Sequence, residues 1–178
     1  SGDFRYDDPS VSEKWYGEKH ESPELLKKSV YGLPELHRDK IAKTTLIGNP
    51  GCYTTCSILG LAPLLAHKII DTNNIIVDAK SGVSGAGRSL GLDYHFCECT
   101  ENMKAYKIAT NRHTSEIEQE LSLVAQENIM ISFTPHLVPM KRGILSTIYA
   151  NLNQQYSASA LLDIYKKYYE GEYFIRIY

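Results

Sequence analysis

The stretch Gly48–Leu65, "GNPGCYTTCSILGLAPLL", puts a cysteine between a Gly-Pro-Gly turn and an apolar run. A thiol that served only packing would sit inside the run. Cys52 stands just before it, where the first amides of a helix lack partners and carry the positive end of the helix dipole. Such groups stabilise a thiolate, the reactive form of cysteine, and an oxyanion formed beside it. Gly51 lets the backbone approach a bound molecule closely, and Asn49, Thr54 and Thr55 add short polar groups. The run from Cys56 to Lys68 is apolar nearly all round, which predicts a buried helix bent at Pro63. Packing as a small hydrophobe is the other reading for Cys52, and the preferred one for Cys56.

Working outward, the chain alternates element types. Pro23–Tyr31 reads as a short helix closed by Gly32, and Thr44–Ile47 as a short strand. Asn74–Ala79 ("NIIVDA") reads as a strand. Gly82–Gly91 holds four of the twelve glycines, so it must be a loop. His95–Cys99 and Ala105–Ala109 are short strand candidates. Ser115–Glu127 is the clearest helix: Ser115 and Glu118 have capping-box spacing, and Ile117, Leu121 and Val124 line one face. Ile129–Phe133 and Gly143–Leu152 read as strands, Ser157 opens a helix running to Tyr169, and Tyr173–Ile177 reads as a last strand. Strands outnumber helices after residue 70, with short connections. The expected class is α+β: a mixed, largely antiparallel sheet with helices on one face.

Composition narrows the function classes. The chain has 178 residues, 43% apolar and 22% charged, as ordinary globular domains do. A net charge of -2 leaves no broad basic field for nucleic acid or a membrane surface. No apolar run reaches the roughly 18 residues that span a bilayer. Four cysteines are too few and too unevenly spaced for a secreted disulfide framework, so a reducing, cytoplasmic setting is expected. Cys52/Cys56 and Cys97/Cys99 form C-x3-C and C-x-C, neither a zinc spacing, and no metal is expected. The chain begins without methionine and stops at "EYFIRIY", which suggests a piece of a longer protein.

A thiol nucleophile needs a base, most often histidine. His113 in "TNRHTSEIEQ" sits at the start of the clearest helix with Arg112 and Glu116 as charged neighbours. His136 in "TPHLVPMKRGI" precedes Lys141 and Arg142 in a segment suited to an anion. His67 reads as a cation near a helix C-terminus. "SGVSGAGR", Ser81–Arg88, follows a strand but is not G-x-G-x-x-G, so no dinucleotide fingerprint is present. It can still offer backbone amides and Arg88 to an anionic group.

Four motifs in this order, "GNPGCYTT", "SGVSGAGR", "NRHTSEIEQ" and "PHLVPMKRGI", resemble the catalytic domain of the N-acetyl-gamma-glutamyl-phosphate reductase family. "SGDFRYDDPSVSEKWYG" and "VYGLPEL" resemble the segment leading into it. That family is related to aspartate-semialdehyde dehydrogenase and, more distantly, to glyceraldehyde-3-phosphate dehydrogenase. The resemblance implies the C-terminal catalytic fold of those enzymes and NADPH-dependent reduction of a small-molecule acyl phosphate in cytoplasmic arginine biosynthesis. It implies Cys52 as nucleophile and His113 as acid/base. It further implies substrate contacts from Asn49, Arg112, Glu116 and Arg142, and cofactor contacts from Ser81, Gly82, Ser84 and Gly85. Residues 1–48 would end a nucleotide-binding half whose fingerprint is missing. Residues 49–178 would form most of the catalytic and oligomerisation half, C-terminally incomplete, in a homodimer or homotetramer. Such a piece alone would bind NADPH poorly and not turn over. The family's T-P-E after the histidine is Thr114-Ser115-Glu116 here. Two other readings stand beside this one: a cysteine hydrolase using Cys52 and His113 without a redox cofactor, and a non-catalytic association module.

Overall fold

A computed structural model describes residues 2–88 and 90–178; Ser89, within the expected glycine loop, and Ser1 lie outside the described residues. The chain opens with α1 (Pro9–Tyr16), capped by the Asp8 carboxylate, which accepts the Ser10 amide. The short helix α2 (Pro23–Leu26) and strand β1 (Val30–Tyr31) follow. The helix expected over Pro23–Tyr31 thus stops after one turn, and its end instead pairs in parallel with β2 (Ile47–Gly48). Between them lies α3 (Pro34–Ile41). Next come α4 (Cys52–Ala66), β3 (Ile75–Ser81), α5 (Phe96–Cys99), β4 (Lys104–Ala105), α6 (His113–Ala125), β5 (Ile131–Leu137), β6 (Ile144–Tyr149) and α7 (Ala158–Tyr168).

The main sheet runs β4-β5-β3-β6. β3 pairs in parallel with β5, from Ile75 opposite Ile131 to Ser81 opposite Leu137, while β3–β6 and β4–β5 are antiparallel. The α+β class and mixed sheet are as expected. The parallel central pair arises because α6 carries the chain back between β3 and β5, as parallel neighbours require. Along β3, Ile75, Val77 and Ala79 are buried while Ile76, Asp78 and Lys80 are more open, so one face meets the helices. There Ile58, Leu61 and Leu65 of α4 and Ile117 and Leu121 of α6 close the core with Phe133. Burying each such side chain contributes about 1.5–3 kcal/mol.

Several local expectations change. α4 starts at Cys52 rather than Cys56 and continues past Pro63. Pro63 has no N–H for the Leu59 carbonyl one turn back; the Tyr169 hydroxyl donates to it instead, at 2.7 Å. α6 starts at His113, two residues before the expected cap. The Asn111 side chain accepts the His113 amide at 3.0 Å, and Ser115 hydrogen-bonds to Arg112 O and the Tyr6 hydroxyl. The capping box is absent because Glu118 reaches the other way, accepting the Ile131 amide at 3.0 Å where β5 begins. His95–Cys99 is not a strand: its amides turn back on themselves, Cys99 N to His95 O at 3.0 Å, so Cys97 and Cys99 share no strand face. Ala105–Ala109 keeps only a two-residue strand, with Lys107 and Ala109 at positive φ beyond it. Tyr173–Ile177 forms no strand. Among the described residues no helix is long and apolar enough to cross a membrane, and no cluster suited to a metal occurs.

Candidate active site

α4 brings Cys52 to the surface as its first residue. The preceding Gly51 has no side chain to cap the helix, so the amides that follow keep their donors for a bound group. The Gly51 carbonyl accepts the Thr55 amide and both threonine hydroxyls, which fixes the turn. His113 enters from the first turn of α6. A Cβ built on Gly51 would lie 2.6 Å from His113 Nε2, so only glycine allows the imidazole this close to the residue before the thiol. Cys52 and His113 both line a cavity of about 420 Å³. A larger hollow of about 520 Å³ near Phe4 and Tyr16 contains neither.

Two further motifs meet at the cavity wall. The turn after β3 docks by its backbone on the segment after β5: Gly82 N donates to Gly143 O at 2.9 Å, Val83 N to Met140 O at 2.9 Å and Ser84 N to Lys141 O at 3.0 Å. A Cβ on Gly82 would meet Arg142 N at 2.7 Å, so this approach requires glycine. Ser81, Gly82 and Gly85 line the cavity with Cys52 and His113, as does Arg112, whose guanidinium also lies 4.9 Å over the Tyr16 ring.

Four expected contact residues do not line it. Asn49 is exposed, and its carbonyl accepts from Arg5 Nε at 2.6 Å. The Ser84 amide is used by the loop packing just described. Arg142 is exposed and meets Gly82 through its backbone. Glu116 is 1% exposed, buried beneath the Gly51 turn and out of reach of a molecule in the cavity. His136 is not on an anion-binding loop but in β5, with Nδ1 3.2 Å from Asp78 Oδ1.

The cavity is electropositive. Burial first, then the nearby cations of Arg5, Arg112 and Lys107, push the His113 pKa down to about 4. Among the described residues its Nδ1 is buried without a hydrogen-bond partner, so no carboxylate among them orients this imidazole as in a triad. At neutral pH it is an uncharged base. Burial pushes the Cys56 thiol up, which keeps it protonated and inert one turn below Cys52. Sequence reading missed Tyr53, Tyr106, Lys107 and Asn111. The Tyr106 hydroxyl donates to that of Tyr53 at 3.1 Å, and Tyr53 donates to His136 O at 3.3 Å, forming one cavity wall. Asn111 had a local signal, an Asn just ahead of a helix. Lys107 had none.

Residues 52–178 match the family described as semialdehyde dehydrogenase, dimerisation domain. The chain belongs to this family. It is 65% identical over 177 residues to the N-acetyl-gamma-glutamyl-phosphate reductase of Acetivibrio thermocellus, covering 99% of this chain and 51% of that protein. It is 55% identical to the enzyme of the same name from Lachnoclostridium phytofermentans, again over 99% of this chain and 51% of that protein. The resemblance read from the four motifs is thereby borne out, and the chain spans about half the length of these curated relatives. The fold is similar to that of aspartate semialdehyde dehydrogenase II from Vibrio cholerae, with a TM-score of 0.59, 17% identity, and coverage of 88% of this chain and 57% of that one.

Proposed function

We propose that this chain is the catalytic part of an NADPH-dependent N-acetyl-γ-glutamyl-phosphate reductase. It would act in arginine biosynthesis in the cytoplasm, as a homodimer or homotetramer. The observation that supports it most is the shared cavity: a thiol at an uncapped helix N-terminus and a neutral imidazole, in a wall of cations suited to an acyl phosphate. The thiol of Cys52 gives its proton to His113 and its sulfur attacks the acyl carbon. The carbon–oxygen bond to phosphate breaks, phosphate leaves with that electron pair, and a thioester remains. The first amides of α4 stabilise the oxyanion formed on the way. NADPH, when bound, supplies the hydride that reduces the thioester carbon. His113 returns a proton to the resulting oxygen and takes it back as the carbonyl re-forms; the carbon–sulfur bond breaks, the aldehyde leaves, and His113 passes the proton to the Cys52 sulfur. Arg112 and Lys107 offer charge to the anionic ends of the substrate.

The cofactor fits the site in part. Ser81, Gly82 and Gly85 put backbone and a single hydroxyl beside Cys52, and a Cβ on Gly85 would meet only Ser81 Oγ, at 3.0 Å. The glycine fingerprint for the rest of a dinucleotide does not occur in the sequence. Residues 1–48 are read as the end of the nucleotide-binding half and 49–178 as the catalytic half, so the 178 residues alone would bind NADPH weakly and not turn over.

The test follows NADPH oxidation and phosphate release by the full-length protein with the acyl phosphate, against Cys52→Ala. Equal release of both products, abolished by C52A, is expected. Turnover that survives C52A, or hydrolysis of simple esters without NADPH, would overturn the reading.

A further inference from the structure

Glu116 is 1% exposed, and a buried carboxylate needs partners. Its Oε1 accepts the Gly51 amide at 2.9 Å and the Tyr31 hydroxyl at 2.7 Å; Thr54 Oγ1, whose proton goes to the Gly51 carbonyl, lies 3.1 Å away, and the Arg5 guanidinium lies 3.6 Å from Oε2. These groups come from the N-terminal segment, β1 and the start of α4. Gly51 is the residue before the nucleophile, and its α-carbon abuts the His113 imidazole. His113 and Glu116 are three residues apart on α6, so they share a face. The turn carrying Cys52 is therefore gripped twice by one helix, by hydrogen bond to Glu116 and by contact with His113.

We propose that Glu116 is a positioning residue that clamps the N-terminus of α4 against α6 and so fixes the Cys52 thiol relative to the His113 imidazole. It acts through Gly51, since it does not line the cavity. The proposal rests on the reductase reading for its rate readout only. Length matters as well as charge: Asp at this position withdraws the acceptor by one methylene, while Gln keeps an oxygen where the Gly51 amide needs it.

The test compares Glu116→Asp and Glu116→Gln in the full-length protein. It measures kcat and KM for the acyl phosphate and the rate of Cys52 alkylation at fixed pH, resolved from the other cysteines by peptide mapping. E116D is expected to lose kcat on the order of 10²-fold, the effect of about 1 Å of misplacement, with KM nearly unchanged. Its Cys52 alkylation rate at fixed pH should also change, because the thiol is no longer held in its wild-type place at the start of α4. E116Q should recover most of the rate. A folded E116D with wild-type kcat and alkylation rate overturns the proposal, as does one that loses only melting temperature or KM. Hydrogen exchange on the wild-type protein tests it without any variant. The Gly51 amide, held by a buried acceptor, should exchange as slowly as interior amides of α4, and exchange at the rate of an open loop overturns the clamp. A wild-type protein that reduces no acyl phosphate overturns the reductase reading, and the clamp is then judged on alkylation and exchange.

Discussion

Replacing Gly51 with alanine separates site geometry from backbone strain. Gly51 has φ −73° and ψ 160°, a conformation alanine adopts freely, so the backbone cost is small. The cost lies in contact: the new Cβ would sit 2.6 Å from His113 Nε2, 2.8 Å from its Cδ2 and 3.1 Å from Thr54 Oγ1. Carbon contacts are comfortable from about 3.5 Å, so the imidazole must retreat by roughly 1 Å. Overpacking of this kind costs about 1–3 kcal/mol, and in a protein this size each kcal/mol lowers Tm by about 2–4 °C. The effect on rate is larger in proportion. A 1 Å displacement of a reacting group costs on the order of 10²-fold, close to 2.7 kcal/mol in activation free energy. G51A is therefore expected to stay folded, melt several degrees lower, keep its KM and lose about two orders of magnitude in kcat. Steady-state NADPH oxidation with differential scanning fluorimetry reads both numbers. A folded G51A protein with wild-type kcat would refute the reasoning, because His113 would then work from a position the Gly51 contact does not set.

Other perturbations have equally definite outcomes. His113 has a folded pKa near 4 against 6.5 unfolded. The unfolded chain thus takes the proton first, and stability is lost as pH falls from about 6.5 to 4, by about 2–3 kcal/mol at pH 4.5. Urea midpoints at pH 7 and pH 4.5 should fall less in His113→Gln than in wild type, and an equal fall argues against a buried neutral imidazole. Tyr169→Phe leaves the Leu59 carbonyl without its donor above Pro63, costing about 1–3 kcal/mol by urea denaturation; no loss would mean the carbonyl is satisfied otherwise. Cys56→Ala should leave the rate and pH profile of Cys52 alkylation unchanged, whereas a shift of either would assign the deeper thiol a part in the chemistry.

The thiol and the imidazole that share the cavity were legible as candidates because each announces itself locally, Cys52 by a glycine turn ahead of an apolar run and His113 by the start of an amphipathic helix. The sheet was legible where alternation is carried by a core, as along Ile75–Ser81. It failed at His95–Cys99 and Tyr173–Ile177, where alternating apolar residues find no ladder partner and the first closes into a helical turn. Glu116 and Glu120 were illegible as core residues. A carboxylate on an amphipathic helix reads as solvent-facing, and only Tyr31, Gly51, Arg5 and His37, between 65 and 111 positions away, supply the donors that let them be buried. Lys107 was missed for a different, local reason: it sits in a left-handed turn that its own sequence does not mark.

The N-terminal segment is bound to α6 by a polar seam. Arg5 meets Glu116, Tyr6 meets Ser115, the Asp7 amide meets Gln119, and His37 meets Glu120 at 2.6 Å. Anyone building chimaeras from two members of this family therefore inherits a rule about where to splice. A junction at residue 48 would set one parent's guanidinium and imidazole against the other's carboxylates, so the buried pairs on α6, one of them beneath the Gly51 turn, would form only if both parents keep these residues. A junction upstream of Arg5 transplants both sides of the seam together.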